Sequence, residues 1–120
     1  MTKILVTDDS SFARNSLCRT LEGAGYEVFQ ADSGQAAIDQ ITTIVPDVVT
    51  LDLLMPGLSG NETLVELLKI HPTAIYIIVT ADIQESTQKE LMAAGANAFL
   101  NKPVKANTLL EKISQLLAEK

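Results

Sequence analysis

Five short apolar runs alternate with five helical patterns along the whole chain, and no other feature narrows the possible fold as far. The runs are KILVT (3–7), EVFQA (27–31), DVVTLD (47–52), IYIIVT (75–80) and NAFLN (97–101). Val, Ile and Leu dominate them. The third and fourth are close to continuously apolar, as expected of strands buried on both faces. Between them, Ala13, Leu17, Leu21 and Ala24 recur at helical spacing after Ser10 or Ser11. That helix is expected to stop at Gly23-Ala24-Gly25, where glycine can take the left-handed cap. A second helix follows Ser33 with Ala37, Ile41 and Ile44 on one face. A third opens on the capping box Ser59-Gly60-Asn61-Glu62 and continues through Leu64, Leu67 and Leu68. The fourth is predicted to start with Asp82 as its N-cap and to carry Ile83, Thr87, Leu91 and Ala94 before Gly95. The fifth carries Leu109, Leu110, Ile113, Leu116 and Leu117.

Alternation of this kind predicts an α/β architecture, a parallel sheet covered by helices. Right-handed crossovers restrict the topology. Five strands with helices on both faces then predict a doubly wound five-stranded parallel sheet in the order 2-1-3-4-5. At 120 residues the chain suits one domain with a real core, and 47% hydrophobic residues fit a globular protein.

Composition also narrows function. The net charge is −6, with no block of Lys or Arg, so a direct nucleic-acid interface is not expected. With no Trp there is little to stack single-stranded bases on. No apolar run reaches the roughly 20 residues of a membrane span. The first residues lack the pattern of a signal peptide. Cys18 stands alone, so no internal disulfide forms, and a cytoplasmic location is expected.

In open α/β sheets, ligands bind beyond the carboxyl ends of the strands. Asp8 and Asp9 follow the first strand, and Asp52 closes the third. Thr80-Ala81 end the fourth, and Asn101-Lys102-Pro103 follow the fifth. The sheet order sets strands one and three side by side, so Asp8, Asp9 and Asp52 are expected to converge. Three carboxylates together need a cation, and oxygen-only ligands favour a hard divalent ion such as Mg²⁺. Such a site recruits a phosphoryl group. Lys102 can pair with one phosphoryl oxygen and the Thr80 hydroxyl can donate to another. Asp52, between them, is the natural nucleophile, since aspartate can form an acyl phosphate.

Asp8-Asp9, Asp52 with Met55-Pro56-Gly57, Thr80-Ala81, Phe99 and Lys102-Pro103 together resemble the receiver domain of two-component response regulators, the CheY-like family. The stretch from Asp9 through Ser10, Ser11 and Phe12 to Arg14 resembles chemotaxis-type members. The resemblance covers essentially the whole chain and implies a single receiver domain over residues 1–120, with the flavodoxin-like, CheY-like three-layer sandwich. It implies that Asp52 accepts a phosphoryl group from the phosphohistidine of a sensor histidine kinase or phosphotransfer protein. Asp9, Asp52 and the backbone carbonyl of Leu54 would hold Mg²⁺, with Mn²⁺ as a substitute and Asp8 acting mainly through water. Ala81 would leave space beside the phosphoryl group, and Leu54 and Asp82 would flank the path of an attacking water. The Lys102–Pro103 bond would be cis. Thr80 and Phe99 would be the switch residues, changing the affinity of the face made by the fourth helix, fifth strand and fifth helix for a downstream protein. The chain would be a signalling phosphoacceptor that assists its own phosphorylation and dephosphorylation, not an enzyme, acting as a monomer or a phosphorylation-dependent dimer.

Duller roles compete for several residues. Asp8 or Asp9 could cap a helix. Asp52 could precede a type II turn at Pro56-Gly57, and Phe99 could be core. His71 is read as a cation closing the third helix and Cys18 as a packing residue. Haloacid-dehalogenase-like phosphatases also use Asp, Mg²⁺, Thr or Ser and Lys, but with Asp-x-Asp on one strand; here the two acids are adjacent. An FMN site would need a Gly/Ser/Thr-rich loop where Asp8-Asp9 stand. An inert interaction module would not need all five polar residues. The start at Met1 and a last helix reaching Lys120 suggest a stand-alone regulator. The alternative is a receiver module from a longer response regulator or hybrid kinase.

Overall fold

The computed structural model describes residues 1–82 and 84–120; Ile83, expected on the fourth helix, lies outside the described residues. Strands and helices alternate as β1 (Lys3–Thr7), α1 (Ser11–Gly23), β2 (Glu27–Ala31), α2 (Gly34–Ile44), β3 (Val48–Leu51), α3 (Gly60–Ile70), β4 (Ile75–Thr80), α4 (Glu85–Ala94), β5 (Ala98–Asn101) and α5 (Ala106–Ala118). The strands form one parallel sheet in the order β2-β1-β3-β4-β5. β3 and β4, which the sequence marks as apolar on both faces, are buried along their whole length in the middle of that sheet.

Alternate residues of each strand feed two cores. On one face Leu5, Val49, Leu51, Tyr76 and Ile78 pack with Ala37 and Ile41 of α2, Leu64 and Leu67 of α3, and Leu91 of α4. On the other, Ile4, Val6, Val48, Ile75 and Ile77 pack with Cys18 and Leu21 of α1 and Leu109 and Ile113 of α5. Three helices therefore cover one face and two the other.

Local signals set most helix ends. The side chains of Ser10 and Ser33 accept the Ala13 and Ala36 amides, and Ser59 with Glu62 makes both halves of its capping box. Gly25, at φ +94°, takes the left-handed turn after α1. Two strands are one residue shorter at the start than expected, with a polar residue at each displaced position. Asp47 turns its carboxylate to the Lys3 amide at 2.8 Å, and Asn97 turns its side-chain oxygen to the Tyr76 amide at 2.8 Å. Both tie neighbouring strand ends together beside the backbone pairing that continues there, the Asp47 amide donating to the Lys3 carbonyl at 2.8 Å and the Asn97 amide to the Tyr76 carbonyl at 2.7 Å.

α4 departs from expectation. Its N-cap is Gln84, which makes no side-chain capping bond. Asp82 instead accepts the Gln84 amide at 3.1 Å and shapes the turn two residues before the cap. An Asx-type bond to the residue two places on uses the carboxylate before the helix begins.

Candidate functional site

The parallel register brings the carboxyl ends of β1, β3, β4 and β5 to one edge of the sheet. Backbone pairing continues one residue past three of them. The Asp8 amide donates to the Ala31 carbonyl at 3.1 Å, the Asp52 amide to Thr7 at 3.1 Å, and the Lys102 amide to Thr80 at 2.8 Å. Asp8, Asp52 and Lys102 thus sit on rigid backbone at the rim, not on free loop.

Their side chains meet. Lys102 Nζ lies 2.6 Å from Asp8 Oδ2 and 2.8 Å from Asp52 Oδ2. The two aspartates are only 1% and 6% exposed, so each carboxylate requires a partner. Backbone amides take the other two oxygens. Ser10 N–H donates to Asp8 Oδ1 at 2.9 Å and Leu54 N–H to Asp52 Oδ1 at 3.0 Å. Burial of the ammonium works to lower the Lys102 pKa. The hydrogen bonds to Asp52 and Asp8 and their negative charges outweigh it, and the net shift is upward from 10.5.

Asp9 differs from both. It is exposed, and among the described residues its carboxylate accepts no hydrogen bond. One oxygen each from Asp8, Asp9 and Asp52 nevertheless lies within 4.8 Å of the others. Three carboxylates and one ammonium leave two negative charges uncompensated. An all-oxygen donor set with that residual charge fits a hard divalent cation.

The remaining site residues surround this cluster unevenly. Thr80 is fully buried, and its hydroxyl accepts the Asp82 amide at 3.3 Å. Ala81 is exposed and Asp82 half-buried. Leu54 is 57% exposed. The Lys102–Pro103 peptide is cis. Phe99 is half-buried against the core beneath α2, α3 and α4. The loop after Asp52 turns at Gly57, φ +80°, and returns to α3 at Gly60. A Cβ on Gly60 would stand 2.6 Å from the Asp52 carbonyl oxygen, so only glycine lets the helix start this close to the acid. His71 caps α3 through its place in the chain, and its Nε2 lies 2.8 Å from the Pro46 carbonyl, which precedes β3 at the opposite edge of the sheet.

Two participants escape a reading by strand ends. Arg14 Nη1 donates to the Asp8 carbonyl at 2.8 Å, and its Nε donates to Gln30 Oε1 at 2.8 Å. No pattern of residue types marks them: Arg14 stands one turn into the helix that follows the acids, and Gln30 is an exposed residue on the edge strand β2.

Comparison with known proteins places this geometry. The family model described as "Response regulator receiver domain" matches residues 4–114. The chain is similar to the chemotaxis protein CheY of Thermotoga maritima, 33% identical over 95% of this chain and 96% of that protein. It is also similar to a protein-glutamate methylesterase/protein-glutamine glutaminase of Halalkalibacterium halodurans, 41% identical over 98% of this chain but 35% of that protein. Among solved structures, a CheY-like receiver domain protein from Methanospirillum hungatei superposes with a TM-score of 0.95 at 31% identity, covering 99% of this chain and 95% of that one.

Proposed function

The chain belongs to the response regulator receiver domain family, and from that premise we propose that Asp52 is its phosphoacceptor, taking a phosphoryl group from the phosphohistidine of a sensor histidine kinase or phosphotransfer protein. The observation that carries the reading is the placement of Asp52. It is a buried carboxylate at the end of the central strand, held by Lys102 on one oxygen and the Leu54 amide on the other.

In the transfer, an Asp52 oxygen attacks phosphorus and the P–N bond breaks. Its electron pair returns to the imidazole nitrogen of the donor, and the product is a mixed carboxylic–phosphoric anhydride. Lys102, already a cation, moves its charge from the carboxylates to a phosphoryl oxygen, and the Thr80 hydroxyl donates to another. Asp8, Asp9, Asp52 and the Leu54 carbonyl are the residues that would hold Mg²⁺. Bound there, the ion supplies positive charge against the phosphoryl oxygens. Exposed Ala81 leaves that approach open. A groove of about 430 Å³ adjoins Lys102, lined by Phe12, Ser16, Leu17, Pro103 and Val104, and supports docking of the phosphodonor beside the site.

Thr80 and Phe99 are the proposed switch. Moving the Thr80 hydroxyl to the phosphoryl group gives up its bond to the Asp82 amide just before α4, and Phe99, on β5, turns inward. Both changes bias the α4–β5–α5 face toward a downstream protein. We read the chain as a stand-alone, chemotaxis-like regulator, monomeric or dimerising on phosphorylation, because the Thermotoga relative is matched over 96% of its length. The methylesterase, matched over 35%, supports the second reading, a receiver module of a longer protein. Among the described residues no helix is long and apolar enough to cross a membrane.

The test is intact mass after incubation with a small acyl-phosphate donor. One phosphoryl group should be gained, and the gain should need both Mg²⁺ and Asp52, vanishing in Asp52→Asn. A gain that persists in Asp52→Asn would refute the assignment.

A further inference from the structure

Of the three carboxylates at the site, Asp9 alone accepts no hydrogen bond among the described residues, so what places it is the backbone. Only Asp8, Asp9 and Ser10 separate β1 from α1. Asp8 is pinned at its amide by Ala31 and at its carboxylate by Ser10 and Lys102. The remaining freedom lies in the Asp8–Asp9 peptide plane, whose carbonyl oxygen is the acceptor of Arg14 Nη1 at 2.8 Å. Fixing that oxygen fixes ψ of Asp8 and, with the Ser10 amide held on Asp8 Oδ1, confines φ of Asp9, so it sets the Cα–Cβ direction from which the Asp9 carboxylate reaches the site.

Arg14 is itself fixed. Its backbone amide donates to the Ser10 carbonyl at 2.9 Å, and its Nε donates to Gln30 Oε1 at 2.8 Å. The planar guanidinium thus spans β2, the loop and the first turn of α1 with two donors of set relative geometry. Lysine carries the same charge but cannot reproduce that span.

We propose that Arg14, braced by Gln30, is a positioning residue for the divalent-cation site: it sets the Asp8–Asp9 peptide so that the Asp9 carboxylate faces the ion. This rests on the phosphoacceptor reading above. Groups that orient metal ligands without touching the metal typically alter affinity by about 10- to 100-fold.

Simple electrostatics predicts the opposite sign. Removing a cation near a cation site should tighten Mg²⁺ binding. Titration calorimetry of Mg²⁺ into the chain and into Arg14→Ala, Arg14→Lys and Gln30→Ala therefore separates the causes, with urea unfolding of each variant as the check on folding. Positioning weakens binding about tenfold in Arg14→Ala and also in the charge-conserving Arg14→Lys, with a smaller loss in Gln30→Ala. Unchanged or tighter binding in Arg14→Ala, or full retention in Arg14→Lys, would overturn the inference and leave the phosphoacceptor reading intact. An unaltered chain that bound no Mg²⁺ would overturn both.

Discussion

Replacing Lys102 with methionine removes the one charge shared by two buried carboxylates while keeping most of the side chain's volume. In the native protein Nζ is 2.6 Å from Asp8 and 2.8 Å from Asp52. Without it, two carboxylates with oxygens within 4.8 Å of each other face an apolar thioether. At an effective dielectric near 20, their repulsion at that distance is about 3 kcal/mol. Two charge-assisted hydrogen bonds are lost as well. Breaking a buried ion pair from one side generally costs about 3–5 kcal/mol, and that is the destabilisation expected at neutral pH without divalent ions. The assay is urea unfolding followed by circular dichroism, with and without Mg²⁺. The variant's site carries three uncompensated charges in place of two, so it should bind Mg²⁺ more tightly than the native chain. At a hundredfold excess over Kd, the ion should return about 2.7 kcal/mol. Acid should also rescue the variant in part, by protonating the carboxylates. A variant as stable as the native chain, or one indifferent to Mg²⁺, would refute the reasoning, because the two acids would then not be held ionised against each other.

Tyr76 gives a second test, away from the site. Its hydroxyl is buried and donates to the Leu67 and His71 carbonyls at the end of α3, at 3.2 and 2.6 Å, and burial pushes its pKa from 10.0 up to about 12. Tyr76→Phe should cost about 1–3 kcal/mol at neutral pH. Because the folded state holds the phenolic proton more tightly, the native chain should lose about 3 kcal/mol as pH rises from 10 to 12, and the variant should lack that component in alkaline unfolding curves. Gly60→Ala would press a methyl onto the Asp52 carbonyl and should cost about 1–3 kcal/mol while slowing phosphorylation from an acyl-phosphate donor, as read by intact mass over time. Leu54→Asn should hasten loss of the phosphoryl group several-fold if Leu54 screens it from water; an unchanged hydrolysis rate would dismiss that role.

The fold was legible because β3 and β4 are apolar on both faces and the serine caps at 10, 33 and 59 mark helix starts in the sequence itself. Once the strand order is known, a parallel sheet leaves Asp8, Asp52 and Lys102 no place but the same rim. What could not be read depends on polar side chains choosing among nearby backbone partners. Asp82 looks like a cap, yet bonds within its own turn and leaves the cap to Gln84. Asp47 and Asn97 look like first strand residues, yet reach across to neighbouring strands. The clamp of Arg14 on the Asp8 carbonyl was equally hidden. A side chain bonding a main-chain oxygen leaves no pattern in residue types, and Gln30 lies 16 positions away on another strand.

The central claim is that Asp52, and neither Asp8 nor Asp9, carries the phosphoryl group. Borohydride reduces an acyl phosphate to an alcohol, converting the modified aspartate to homoserine and marking the acceptor permanently. After phosphorylation from an acyl-phosphate donor with Mg²⁺, peptide mass mapping should find homoserine at position 52 alone. Homoserine at position 8 or 9, or an unmodified position 52 in a chain that has gained a phosphoryl group, would contradict the account.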